Sequence, residues 1–216
     1  MQQHKTALLI GATGLTGGHL LEQLLAHPAY DQVIALVRRP MGIVHPKLKE
    51  SIIDFDAPDP ALIHGDDLFC AMGTTLAKAG SKEAQYKIDC TYPAVIGQIA
   101  RNNGVKRYLL VSSVGADAQS ANFYLRTKGD LEQQILAMGF ETFVAARPSF
   151  LLGDRKEMRI GEKIGIVLSN LISPLLMGRL RKYRGIPSAQ VAKSLIDRAN
   201  NDQKGSLFPE YDELCG

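Results

Sequence analysis

Tyr124 and Lys128 stand four residues apart in the run Asn122-Phe-Tyr-Leu-Arg-Thr-Lys-Gly-Asp-Leu-Glu132. In a helix that spacing puts phenol and ammonium on one face, a turn apart. A free phenol ionises near ~10 and exchanges protons poorly at neutral pH. A cation beside it favours the phenolate, so the pair can give a proton to a developing alkoxide or take one from an alcohol. Ser113, which closes the preceding strand-like run, can donate a hydrogen bond to the same oxygen. Tyr-x-x-x-Lys arises readily by chance in a chain with seven tyrosines. Its weight therefore comes from its place after a run ending in Ser112-Ser113. The bland alternative is a packed tyrosine beside a solvated lysine.

The second chemical signal is at the other end of the chain, in Thr6-Ala-Leu-Leu-Ile-Gly-Ala-Thr-Gly-Leu-Thr-Gly-Gly-His-Leu20. An apolar run stops at Gly11, glycines recur at Gly14 and Gly17, and helical periodicity follows at Leu20, Leu21, Leu24 and Leu25. A strand, a tight glycine turn and a helix N-terminus in that order suit a pyrophosphate. The free N–H groups and the positive end of the helix face the turn, and missing Cβ atoms admit a close approach. An ordinary strand-to-helix turn is the alternative.

The residues at the end of the second strand decide which dinucleotide fits. A carboxylate there would bind the two ribose hydroxyls, whereas an arginine meets a 2′-phosphate. The strand ends Leu36-Val37-Arg38-Arg39-Pro40 with no acid, and Asp31 lies before it. Arg38 and Arg39 offer planar forks to a phosphate dianion, so NADP(H) is preferred over NAD(H). A solvated surface pair is the competing reading. Asp54, ending a third strand, could accept from an adenine amino group or simply cap a turn.

These residues need a scaffold. Strands are expected at Val33–Val37, up to Ile53, at Leu68–Ala71, Arg107–Ser112 and Phe143–Ala146, with helices over about Lys82 to Asn102 (adjusted at Pro93) and Asn122–Met138. Alternation of this length implies right-handed crossovers and a parallel sheet covered on both faces. The ligand crevice of such a sheet lies beyond the carboxyl ends of its strands. The glycine turn, Arg38-Arg39, Asp54, Gly73-Thr74 and Ser112-Ser113 all fall there. The expected fold class is α/β, a Rossmann-type doubly wound parallel sheet with a short C-terminal substrate-covering segment. One domain over residues 1–216 is expected, with a dinucleotide-binding core at 5–156.

Composition narrows the function. With 216 residues and 45% hydrophobic content the chain can bury a substantial core. A net charge of +3 calls for no nucleic acid, membrane or strongly acidic partner. Cys70, Cys90 and Cys215 lack zinc-type spacing and read as reduced thiols. With no signal peptide recognised ahead of the first strand, a cytoplasmic location is expected. The histidines show no ligand spacing, so no metal site is expected.

Residues 157–216 must cover the substrate. The apolar stretch Ile164–Leu176 fits a lid helix, a dimer face or core cover. Gly178-Arg-Leu-Arg-Lys-Tyr-Arg-Gly185 is a basic cluster, read as a solvated loop or an anion contact. Ser188 is expected to cap a helix running to about Ile196.

Taken together these residues resemble the short-chain dehydrogenase/reductase superfamily in its atypical and extended branch. Within it the chain is similar to the HIV Tat-interacting protein (oxidoreductase) family, as a bacterial relative. The marks are Gly11-Ala-Thr-Gly-Leu-Thr-Gly17, Phe69-Cys-Ala-Met-Gly-Thr-Thr75, Ser112-Ser-Val-Gly-Ala116, Asn122-Phe-Tyr-Leu-Arg-Thr-Lys-Gly129 and Arg147-Pro-Ser-Phe-Leu-Leu-Gly-Asp-Arg155. The likeness covers residues 5 to 160 well and the last fifty poorly. It implies that Thr13, Gly14, Leu15 and Thr16 contact the pyrophosphate and that Arg38 and Arg39 meet the 2′-phosphate. Met72, Gly73 and Thr74 would line the way to the nicotinamide ribose, and Leu151 and Arg159 would lie close to the cofactor. Tyr124 would be the proton donor/acceptor, with Lys128 binding the ribose and tuning it. Where relatives often carry Arg-Pro-Gly, this chain has Arg147-Pro148-Ser149, which leaves the pocket floor undetermined.

The expected function is that of an NADP(H)-dependent oxidoreductase moving a hydride to or from a small carbonyl/alcohol substrate. Two alternatives stay beside it: an NADPH-sensing binding protein with little turnover, and an NAD(P)-dependent epimerase or dehydratase. A homodimer or a protein partner is compatible with each.

Overall fold

The computed structural model describes residues 4–153 and 178–216. Seven parallel strands form one sheet, β1 (Lys5–Ile10), β2 (Tyr30–Val37), β3 (Leu48–Ile52), β4 (Asp67–Cys70), β5 (Arg107–Val111), β6 (Thr142–Ala146) and β9 (Gly205–Leu207), in the order β3-β2-β1-β4-β5-β6-β9. The direction of winding reverses beside β1, which pairs with β2 on one side and β4 on the other (Leu8 opposite both Ile34 and Leu68). That is the switch point at which an open α/β sheet forms its ligand crevice.

The alternation of side chains along β1 divides the core. Ala7 and Leu9 join Leu20, Leu21 and Leu24 of α1 (Leu15–Ala26) and Val191, Leu195 and Ile196 of a late helix, α6 (Ser188–Ala199). Leu8 and Ile10 join the opposite face, with Ala94, Ile96 and Ala100 of α4 (Tyr92–Asn102) and Leu131 and Ile135 of α5 (Phe123–Ala137). Burial on both faces is why the strands read as continuous apolar runs. Two short helices, α2 (Leu76–Ala79) and α3 (Lys82–Tyr86), precede α4.

Three local features depart from the sequence reading. The helix expected over Lys82 to Asn102 is interrupted by a π-helical turn at Lys87–Thr91. Pro93 has no N–H to return to the carbonyl four residues earlier, so the α-helical ladder cannot run through unbroken. Ser188 is the first residue of α6, not its cap, which is Pro187. Its hydroxyl is buried without a hydrogen-bond partner among the described residues. β9 and the two-stranded parallel pair β7 (Leu151–Leu152) and β8 (Ile186–Pro187) were not anticipated; runs of two or three residues carry no period. A last helix, α7 (Tyr211–Cys215), opens with a reciprocal capping box between Glu210 and Glu213.

Behind the crevice, at the opposite sheet edge, Asp67 is fully buried and accepts from Tyr30 Oη (2.7 Å), Lys5 Nζ (3.3 Å) and Arg107 Nη1 (3.1 Å). Lys5 Nζ also donates to the Ala199 carbonyl at the end of α6. α6 is thereby fastened to the N-terminal strand, away from the crevice. Cys70 and Cys90 are buried free thiols and Cys215 is an exposed one.

Candidate active site

At Gly11 the backbone leaves β1 with φ +84°, and a Cβ there would lie 2.5 Å from the Ala71 backbone. Only glycine lets this turn lie against the loop leaving β4. Gly14 caps α1 without any side-chain hydrogen bond, and the first turn holds no acid. The amides of Leu15, Thr16 and Gly17 therefore have no intrahelical acceptor. Thr16 Oγ1 is buried and has no partner among the described residues. Bare amides, the positive end of a helix and an orphaned hydroxyl fit the diphosphate of a dinucleotide. Gly17 does not line the crevice: a Cβ there would collide with the Gly11 carbonyl, so its role is close packing of α1 on the turn.

From this turn a cleft of about 680 Å³ runs over the end of β2. Gly11, Thr13 and Gly14 line it near the turn, together with Arg38, Arg39, Phe55, Ile88 and Tyr92. Both arginines are exposed, and no described residue forms an ion pair with either. Glu50 accepts the Met41 N–H at 2.9 Å and holds the loop that follows them. Asp54 does not line the cleft; its Oδ1 accepts the Asp56 N–H at 2.9 Å, the turn-capping alternative. The wall is instead aromatic, with Phe55 and Tyr92 ring centroids 5.5 Å apart and Tyr92 Oη donating to Asp56 Oδ1. Sequence reasoning missed this pair, although Phe55 adjoins the aspartate it singled out.

A second cleft, of about 930 Å³, shares Gly14 and the residues from Ala71 to Thr74 with the first, so the two are continuous. Leu15, Thr16, Met72, Gly73, Thr74 and Leu151 all border it. So do Ser113, Tyr124 and Lys128, brought together from the end of β5 and the first turns of α5. Asn122 starts α5 by accepting the Leu125 N–H on its side chain. Gly129 lets the helix lie against the loop after β5, since a Cβ there would strike the Asp117–Ala118 backbone. Tyr124 is 38% exposed, whereas Lys128 is 3% exposed. Ser113 Oγ donates to the Val114 carbonyl at 3.3 Å. Arg159 and the stretch Ile164–Leu176 lie outside the described residues.

Burial pulls the Lys128 ammonium toward neutrality, but Tyr124, Asp89 and the thiols Cys70 and Cys90 outweigh it. Its pKa stands above the ordinary lysine value, so it is a fixed cation at neutral pH. Asp89, absent from the sequence reading, is fully buried on the π-helical turn, and its Oδ1 accepts the Thr74 N–H at 2.6 Å. Glu132 is a second buried acid the sequence did not flag, four residues beyond Lys128. It accepts from Ser112 Oγ and from Nε and Nη2 of Arg147, whose guanidinium lies 4.6 Å from the Phe208 ring centroid. Tyr124, Lys128 and Glu132 thus continue one i, i+4, i+8 stripe of α5. Among the described residues no group of three or more histidine, cysteine or acidic side chains is placed to hold a metal ion. No described helix is long and apolar enough to cross a membrane.

Comparison with known proteins agrees with this geometry. A family model described as NAD(P)H-binding matches residues 11–163. The mitochondrial protein FMP52 of Candida glabrata is 37% identical over 189 residues, 85% of this chain and 79% of that protein. FMP52 of Candida albicans is 33% identical over 210 residues, 94% of this chain and 91% of that protein. Among solved structures, MoeE5 in complex with UDP-glucose and NAD superposes with a TM-score of 0.71 at 18% identity, over 97% of this chain and 79% of that one. A short-chain dehydrogenase/reductase superfamily protein from Agrobacterium tumefaciens with bound NAD gives 0.72 at 12% identity, over 96% and 78%. These two likenesses concern the fold. The FMP52 relatives are named as mitochondrial proteins, which overturns the expectation of a cytoplasmic location. A match over most of its length, on the glycine turn and through the strands that build the crevice, makes this chain a member of the NAD(P)H-binding family of Rossmann-fold proteins, homologous to FMP52.

Proposed function

We propose that the protein is an NADP(H)-dependent oxidoreductase of the short-chain dehydrogenase/reductase type, acting on a small carbonyl or alcohol. The observation that carries this reading is the meeting of a glycine-turn anion cradle with Ser113, Tyr124 and Lys128 along one continuous cleft. The resemblance to Tat-interacting oxidoreductases, made by the same segments, supports it. When bound, the dinucleotide supplies the hydride chemistry.

The chain's own residues do the rest. The first-turn amides of α1 and the Thr16 hydroxyl hold the diphosphate, and the two exposed guanidiniums at Arg38 and Arg39 take the 2′-phosphate. Met72, Gly73 and Thr74 border the path between the two ends of the cleft. Lys128 is the fixed cation that holds the ribose beside Tyr124. The Tyr124 hydroxyl exchanges a proton with the substrate oxygen, and Ser113 donates a hydrogen bond to that oxygen.

A fluorescence titration with NADPH and NADH tests the first half. NADPH should bind more tightly, and Arg38→Ala should reduce that preference by about tenfold, the worth of one charge-assisted phosphate contact. Equal affinity for both nucleotides in the wild-type protein would reject the NADP(H) assignment. Tyr124→Phe tests the second half: nucleotide affinity should persist while carbonyl-dependent NADPH oxidation falls by about a hundredfold or more. Undiminished turnover would remove Tyr124 from the reaction, and a tightly held nucleotide that never exchanges would favour an epimerase instead.

A further inference from the structure

Beyond Tyr124 the cleft is bordered by large apolar side chains that are exposed among the described residues. Leu76 is 47% exposed, Phe150 54% and Tyr183 45%, and all three border the same cavity, together with Phe123 and Leu125. Scattered exposed hydrophobics are ordinary, but aromatic rings gathered around one concavity mark a place for an apolar ligand.

The wall is built and not incidental. Phe150 immediately precedes β7 and Tyr183 lies just ahead of β8, and the two strands pair in parallel, Leu151 opposite Ile186. The Phe150 carbonyl accepts the Ile186 N–H at 2.8 Å, and Ser149 Oγ donates to the Tyr183 carbonyl at 3.3 Å. These bonds tie both aromatic-bearing segments together.

Charge is sparse among the residues that border the cleft, although Lys182, next to Tyr183, places its Nζ 5.4 Å from that ring's centroid. None of the described residues bordering the cleft is an acid, and its two lysines are already engaged. Lys128 is buried and Lys82 Nζ lies over the Phe123 ring, 5.7 Å from its centroid. No further cation is among the described residues that border the cleft, so its lining lacks the free paired cations that a second diphosphate needs. Uncharged hydrogen-bonding side chains such as Thr74, Gln85 and Asn122 also border the cleft, and Ser113 and Tyr124 are the pair placed to hold a substrate oxygen.

We propose that the substrate end of this cleft takes an uncharged aromatic or conjugated carbonyl compound, its flat apolar part against Phe150 and Tyr183 and its oxygen toward Ser113 and Tyr124. The proposal rests on the oxidoreductase reading for its orientation, but its content is a binding preference that can be measured without turnover.

The test uses the full-length protein saturated with NADPH or NADP⁺ and three probes: cinnamaldehyde, glyceraldehyde and UDP-glucose. Binding is followed by calorimetry with cinnamyl alcohol, glycerol and UDP-glucose on the NADPH complex, which pairs each probe with a species that cannot be reduced there. Cinnamyl alcohol should bind at least about tenfold more tightly than either of the others, the contribution expected from covering one half-exposed ring. Phe150→Ala and, separately, Tyr183→Ala should each erase about that factor while leaving NADPH affinity unchanged. Preference for glycerol or UDP-glucose overturns the proposal, as does selectivity untouched in both variants. Oxidation of NADPH by glyceraldehyde but not by cinnamaldehyde sinks the substrate class and leaves the oxidoreductase reading standing. Tight cinnamyl alcohol binding with no carbonyl reduced does the reverse.

Discussion

Asp89 and Thr74 are joined by a 2.6 Å hydrogen bond from the Thr74 N–H to the Asp89 carboxylate. The same oxygen converges with the Lys128 ammonium on Gly73: a Cβ built there would lie 3.8 Å from Asp89 Oδ1 and 3.7 Å from Lys128 Nζ. One buried acid therefore links the loop after β4 to the cation of α5, across the point where the two clefts meet. Asp89→Ala removes a charge-assisted bond and should cost about 1.5–3 kcal/mol in urea unfolding. Asp89→Asn keeps an acceptor but not the charge and should cost less. Both should weaken NADPH more than 2′,5′-ADP, which lacks the nicotinamide half. Equal weakening of the two ligands would place the effect of Asp89 elsewhere.

Why Asp89 escaped sequence reasoning, while Tyr124 and Lys128 did not, is physical. The i, i+4 rule finds side chains on one face of a regular helix, and α5 is regular from its asparagine cap onward. Asp89 reaches the site from a π-helical turn, where that periodicity does not apply. The glycine turn was legible because each glycine answers a specific backbone constraint, at Gly11 a positive φ and at Gly17 a close approach. Both adjacent serines border the cleft, but Ser112 also donates to Glu132, a bond that is invisible in the sequence without the partner acid. Asp54 could be read two ways because a strand-end aspartate serves a turn as readily as a ligand.

The raised pKa of Lys128 gives a pH dependence with a definite sign. Burial opposes its charge, but Tyr124, Asp89, Cys70 and Cys90 together favour it more, so its folded pKa exceeds the ordinary 10.5. A group raised on folding adds stability that is fully present below its unfolded pKa and fades as pH rises through the folded one. The stability difference between wild type and Lys128→Met should therefore be constant from pH 6 to about 9 and shrink only above about 10.5. Chemical denaturation at several pH values measures it. A difference already shrinking at pH 7 to 8 would mean that Lys128 loses its proton there and cannot be the fixed cation of the site.

Glu132 and Arg147 form a bidentate pair with the acid 2% exposed and the arginine side chain 25% exposed. Removing one member of a buried pair strands the other, typically at about 3–5 kcal/mol, and the partial solvation of Arg147 places this pair at the lower end. Glu132→Ala should thus lose about 3 kcal/mol, and it also strands the Ser112 hydroxyl. Glu132→Gln keeps one acceptor and should lose less. Since Ser112 adjoins Ser113, the glutamine variant should lower kcat for a carbonyl substrate more than it raises KM for NADPH. A loss confined to stability, with both kinetic constants unchanged, would make the pair a brace alone.

The neighbouring glycines Gly17 and Gly18 should respond oppositely to the same substitution. Both lie in α1, where alanine is favoured over glycine by about 0.8–1 kcal/mol. At Gly18 a Cβ meets nothing closer than the Ala12 carbonyl at 3.9 Å, an ordinary contact, so Gly18→Ala should gain most of that increment. At Gly17 the Cβ would enter the Gly11 carbonyl and press on Ala12, and neither is a flexible side-chain end that can move aside. Gly17→Ala must push the helix away from the turn. It should destabilise the protein despite its better propensity, and it should cut dinucleotide affinity because the first-turn amides move with the helix. Thermal melts with and without NADPH separate the outcomes: Gly18→Ala should melt higher and retain the ligand-induced rise, and Gly17→Ala should melt lower and lose it. A Gly17→Ala protein that keeps the full rise would show that the amides ahead of α1 do not hold the phosphates.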